Sequence, residues 1–294
     1  MRRETIHATL YVSRPSQEWG FIPVPLLFGP WEKPSDLRRL LQLVENIARQ
    51  NGTTIFNRPV RVLSDFELSF INAARYIHPH VKISCCFFHF VANIKKRARP
   101  IIDELRRRTG RNPEMTLLAE KTKRAFMMLP LLPPDLICED VVDMIVWRWR
   151  QAFNVFGVAF DGLKRHLIEN YVSHNARFQK RDWCVSGRVT RTNNSAESSH
   201  ARLNATVRVS GAVSLDTFLF SIQKQMGNTS REIRNGCPSH SKTIYKRRND
   251  LLAGELSDLL NGRQGVLRFL DHCSEVLFVQ NLRDLNSFFA QKGK

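Results

Sequence analysis

A chain of 294 residues, 43% hydrophobic and 24% charged, can bury a core without disulfides or metals and has the composition of an ordinary folded soluble protein. Its charge is not ordinary, because 45 Lys and Arg stand against 27 Asp and Glu, a net charge of +18. That balance points to a polyanionic partner, nucleic acid above all, the alternative being a generally basic surface with no specific ligand.

The first 90 residues alternate between strand and helix patterns. Residues 5–13 read as a strand with Ile6, Ala8, Leu10 and Val12 on one face. Residues 21–28 form a second apolar stretch, which Pro23 and Pro25 push toward a sheet edge or an irregular strand. Ser35 then caps a helix with Leu37, Leu40, Leu41, Val44 and Ile47 at helical spacing, closed by Asn51-Gly52. A short strand at 60–63, a helix at 66–77 and a strand at 80–86 follow. From residue 88 to 172 no strand pattern occurs, and helices are expected at 89–108, 140–156 and 160–171. Residues 177–188 read as a polar loop containing Trp183; further helices follow at 193–207, 214–226 and 241–260. The aromatic row Trp147, Trp149, Phe153 and Phe156 reads as helix core. The expected fold is α/β, a sheet part at 1–90 followed by a large all-α insertion at 91–190. A return helix and its neighbour at 191–230 and a helical C-terminal tail at 231–294 complete it.

The six cysteines, at 85, 86, 138, 184, 237 and 273, include no C-x-x-C pair. This argues against a disulfide framework or a four-cysteine zinc site and for a reducing compartment. The first residues lack the apolar core of a signal peptide. The apolar runs at 21–31 and 126–137 are too short and too broken by prolines to span a membrane.

Two acidic residues carry the chemical argument. Asp65 stands where the strand at 60–63 gives way to a helix, the place where α/β folds put their chemistry. Ser64-x-x-Glu67 also reads as a capping box, in which Asp65 would only complement the helix dipole, worth about 0.3–1 kcal/mol. Glu197 lies about one turn into a helix opened by Asn193 or Asn194, where a glutamate is commonplace.

Their order and flanks change that weighting. Val60-Arg61-Val62-Leu63-Ser64-Asp65-Phe66-Glu67 is followed by Cys86-Phe87-Phe88-His89-Phe90. Then comes Arg191-Thr192-Asn193-Asn194-Ser195-Ala196-Glu197-Ser198-Ser199-His200-Ala201-Arg202-Leu203-Asn204. This series resembles the transposase domain of Mutator-like elements, the MULE family, over about residues 5–230. The resemblance implies an RNase H-like mixed sheet with a D-D-E triad and a helical insertion between the second and third acids. The interval here is 197 − 65 = 132 residues and contains the helical block. Asp65 matches the second acid and Glu197 the third, while Cys86 and His89 match a C-x-x-H motif after the fifth strand. The first-strand Asp-Gly-Thr-Phe-like motif has no counterpart, and Glu4 sits at the start of the wrong strand to replace it. The sheet is therefore expected to be incomplete and the chain inactive alone as a transposase.

The resemblance implies Mg²⁺ or Mn²⁺ held by Asp65 and Glu197, and DNA (transposon ends and target) as partner, with homo-oligomerisation a further option. Zinc is not expected, because Cys86 and His89 are two ligands and a structural site needs four. His200 and Asn194 fall near the expected site. Arg191, Arg202 and Arg208 flank the Glu197 helix and, with Lys95, Lys96 and Arg97, are the candidate DNA contacts. Other basic runs, at 106–108, 121–124 and 246–248, read as solvated helix faces or phosphate contacts. The expected location is the nucleus in a eukaryote, otherwise a soluble intracellular protein. Two other readings stand beside this one: a non-catalytic DNA-binding module descended from a transposase, and a helical protein-interaction domain.

Overall fold

A computed structural model describes residues 10–13, 21–24, 34–50, 52, 61–188, 191, 220, 224, 231 and 243–278. The chain divides into two compact units. One comprises Met1–Val60, Glu67–Val81 and Thr192–Ser241; the other comprises Arg61–Phe66, Lys82–Arg191 and Lys242–Lys294. The expected boundary at residue 90 falls inside a helix and does not separate them.

In the first unit β1 (Leu10–Ser13) pairs antiparallel with β2 (Phe21–Val24), Leu10 opposite Val24 and Ser13 opposite Phe21. Helix α1 (Pro34–Gln50) packs against α2 (Leu68–Ile77). Leu41 and Glu45, four residues apart, are buried, as are Ile71, Ala73 and Ala74. Ile47, read as core-facing, is half exposed. Gly52, at φ 70°, ends α1 as its sequence position suggested.

In the second unit β3 (Arg61–Ser64) pairs in parallel with β4 (Lys82–Cys85), Arg61 opposite Lys82 and Ser64 opposite Cys85. The described strands thus form two separate pairs in a mostly helical chain, coarsely α/β. Among the described residues, seven α-helices make up the rest of the unit: α3 (Phe87–Arg108), α4 (Pro113–Met128), α5 (Glu139–Ala152), α6 (Asp161–Leu167), α7 (Lys180–Trp183), α8 (Thr243–Leu260) and α9 (Val266–Phe278). Helix α4 was not anticipated, although Asn112 caps it by accepting from the Met115 N–H at 3.0 Å and Pro113 opens it. Its end runs into the core: residues 126–132 are all buried, and Pro130 O accepts from the Val185 N–H at 2.7 Å.

The expected polar loop at 177–188 is instead an inner wall. Phe178, Trp183, Cys184 and Val185 are buried. Trp183 lies flat on Phe90 at 5.3 Å, and Tyr171 stacks on Phe178 at 5.5 Å. Phe66 enters edge-on, 5.0 Å from Phe178 and 5.5 Å from Tyr171. Charged residues interleaved with these rings hid the apolar pattern. The row 147–156 is also split, since Trp149 is fully buried and donates to Phe156 O at 2.8 Å, whereas Trp147 is 59% exposed.

Trp183 should therefore be a stability residue. Trp183→Ala is expected to lose about 3–5 kcal/mol in urea denaturation. Trp183→Phe keeps most of the packing and lacks only the Nε1–H bond to Tyr171 O (3.2 Å), so it should lose about 1–2 kcal/mol. Equal losses for the two variants would show that ring packing is not what matters.

Candidate functional site

Backbone bonds at the strand pair bring together residues of the first two family-like segments and Arg191, the one described residue of the third. Because β3 and β4 are parallel, both carboxyl ends lie on the same side, about 4.8 Å apart. The Cys86 N–H donates to Ser64 O at 2.7 Å, and the next N–H, of Phe87, donates to Arg191 O at 2.8 Å. Residues 64, 86 and 191 are far apart in the chain, yet backbone bonds tie them together at this edge.

Asp65 is the first residue past β3 and is half-buried. The Ser64 hydroxyl points at its Oδ1 from 3.4 Å, a weak contact. The capping-box alternative fails. Helix α2 starts at Leu68 with Glu67 in the N-cap position, whose side chain makes no cap bond and accepts from the Ser69 hydroxyl at 3.0 Å. Ser64 is the last strand residue, three positions before that cap, so Asp65 lies outside the helix and its dipole. Phe66, expected to open the helix, belongs to the ring cluster below the edge.

Cys86 is the N-cap residue of α3 and fully buried; His89, in its first turn, is half-buried with Phe88 edge-on at 5.9 Å. Glu197, His200, Asn194, Arg202 and Arg208 lie outside the described residues. Among the described residues no group of three or more His, Cys, Asp or Glu gathers as a metal site. Mg²⁺ and Mn²⁺ take oxygen ligands, and Asp65 is the one carboxylate of the expected pair that the described edge presents. The described residues alone do not fit a divalent cation, and no chemical step is derived through one.

Arg191 is turned inward. Its Nη2 donates to Asn249 Oδ1 at 2.6 Å and its Nη1 to Arg188 O at 3.2 Å. Burial pushes its pKa below the ordinary arginine value. Lys95, Lys96 and Arg97 are exposed because Ile94 and Ala98, four apart, take the inner face of α3. Two supporting groups were not singled out in the sequence. Ser84, buried in β4, accepts from Arg188 Nη1 at 2.6 Å. Asn93 donates to the Tyr171 hydroxyl at 2.6 Å and accepts from Arg97 Nε at 3.2 Å. A polar residue inside an apolar strand was the available signal for Ser84; nothing local marks Asn93.

His166 sits at the margin of this bed, its ring edge-on to Tyr171 at 5.8 Å. Its Nδ1 is 3.0 Å from Asn170 Nδ2, and its Nε2 is buried without a hydrogen-bond partner. Burial, assisted by the Arg97 charge, lowers its pKa from 6.5 to about 4. Above pH 6.5 the ring is neutral in both folded and unfolded chains. Between 6.5 and about 4 the unfolded chain takes up a proton that the folded chain resists, so stability falls as pH drops through that window. His166→Gln should remove this component. Urea midpoints at pH 7.0, 5.5 and 4.5, at about those settings, should decline less in the variant than in wild type, and parallel declines would contradict the assignment.

No helix among the described residues is long and apolar enough to cross a membrane. No family model, curated protein or solved structure matches the chain.

Proposed function

We propose that this chain is a DNA-binding protein of the MULE transposase type, with its phosphodiester chemistry centred on Asp65 and Glu197. One observation carries the reading. The segments around Ser64, Cys86 and Arg191, which carry the family resemblance, are bonded to one another at the carboxyl edge of a parallel strand pair. Glu197 follows Arg191 by six residues, so covalent reach alone limits its Cα to about 20 Å from that of Arg191.

The roles follow from these positions. Surface cations would draw a polyanion to the protein, and Asp65 presents a carboxylate at the edge, held there by Phe66 in the ring cluster. Within these 294 residues no counterpart of the first-strand aspartate is found, so the reading assigns this polypeptide DNA binding and no turnover by itself. Transposon ends and target DNA are the proposed ligands, and the nucleus the proposed location in a eukaryote. A purely non-catalytic binder is the second reading, favoured by the exposed Lys95-Lys96-Arg97 run.

The test joins salt-dependent DNA retention to a strand-transfer assay with Mn²⁺. Affinity for duplex DNA should fall by about 10³ or more between roughly 50 and 200 mM salt if six or more phosphates are contacted. A flat salt response would favour the protein-interaction alternative. No strand transfer is expected; turnover abolished by Glu197→Ala would make the chain an active enzyme and overturn that part of the reading.

A further inference from the structure

The α3–α4 hairpin carries charge out of proportion to its size. Residues 87–128 hold 11 Lys and Arg against 4 Asp and Glu, so 11 − 4 = +7 of the total +18 lies on 42 residues. A groove by the connecting turn is lined by Arg106, Arg107, Arg111, Lys121 and Arg124, with Asp103 and Glu120 between them. The acids do not cancel the cations. Arg106 is 3.7 Å from both Asp103 and Glu120, a loose arrangement, and Arg107 pairs with Glu104. Arg111 and Lys121 are exposed and have no ion-pair partner among the described residues. Arg124 lies 5.3 Å over the Phe278 ring, a contact that orients a guanidinium without neutralising it.

The backbone at Arg111 is a second, independent sign. Its φ of 64° makes it the one non-glycine residue with positive φ among the described residues. An L side chain there costs on the order of 1 kcal/mol. The Arg111 N–H donates to Arg106 O at 2.9 Å, closing the end of α3 and fixing the two arginines relative to each other. Glycine would close this turn with less strain. Arginine keeps a cation on the groove's rim.

We propose that this groove is a track for the phosphate backbone of double-stranded DNA, bound without sequence preference. The occupant follows from shape and lining. The groove is concave with cations from both helices, and its lining contains no aromatic ring on which an unpaired base could stack. Only Leu117 and Pro113 are apolar, too little to insert into a membrane surface. The proposal rests on the nucleic-acid part of the function above and is independent of the strand-edge chemistry.

The experiment is fluorescence anisotropy of the full chain on a labelled random-sequence DNA duplex across a salt series. Three variants are compared with wild type: Arg111→Gly, the triple Arg107→Ala/Arg111→Gly/Lys121→Ala, and the charge-matched triple Arg165→Ala/Lys246→Ala/Arg247→Ala, whose residues are exposed outside the groove. Arg111→Gly should melt at or above the wild-type temperature, because strain is relieved, yet bind about tenfold more weakly near 0.1 M salt. The groove triple should reduce the slope of log affinity against log salt by about 2–3, and the control triple by less than one. Equal losses in the two triples would overturn the track. So would a groove triple that binds like wild type, an outcome that leaves the proposed function intact. Failure of wild type to bind DNA would overturn both. Retention on phosphatidylserine vesicles that exceeds retention on DNA would replace the track with a membrane surface.

Discussion

The ring cluster around Tyr171 is the contact on which the second unit depends. It collects Phe66 from the end of β3, Phe90 from α3, Phe178 and Trp183 from the segment around α7, and Tyr171 itself from the turn after α6. These residues span more than a hundred positions, so closing such loops is entropically costly and needs a large apolar return. The polar ends of Tyr171 do not oppose burial, because Asn93 meets its hydroxyl and Trp183 its carbonyl. Burial still raises the phenol's pKa, with Asn93 opposing the shift. Asp65 inherits its position from this cluster: its neighbour Phe66 is clamped, so the acid stays at the strand edge.

Helix α3 connects the two features that bear on function. It begins at Cys86, beside the strand ends, and finishes at Arg106–Arg108, where the basic groove lies. Twenty-two residues at about 1.5 Å each make a rod about 33 Å long. One turn of duplex DNA is about 34–36 Å. Lys95, Lys96 and Arg97 stand exposed partway along the helix, and the stretch from Lys95 to Arg108 places cations over about 20 Å, a little more than half of such a turn. Arg191, by contrast, serves the fold, anchoring the returning chain to α8 through Asn249.

Periodic segments were legible from their residues alone. Helix α1 with its Gly52 stop, the strands at β3 and β4, and the exposed face of α3 all follow from spacing. The Ser64-x-x-Glu67 capping box was misleading because Ser64 stays in the strand, opposite Cys85, and α2 starts four residues later, at Leu68. Trp147 leaves the expected aromatic core row because residues two apart on a helix face different ways, and Trp149 takes the buried face. The wall at 177–188 was read as polar because Arg177, Lys180, Arg181 and Arg188 outnumber its rings, and burial there was set by partners distant in sequence.

The amino-acid sequence by itself determined the charge balance, the strand–helix alternation and the identity and order of the acidic motifs. These depend on composition and short-range spacing, which the linear chain contains in full. Only the tertiary structure decided that Ser64, Cys86 and Arg191 share one edge, that Phe66 holds Asp65 in place, and that two unremarkable basic runs face each other across a groove. Those outcomes depend on parallel pairing and on ring contacts between residues up to about a hundred positions apart, and no local pattern encodes which distant partner a buried side chain meets.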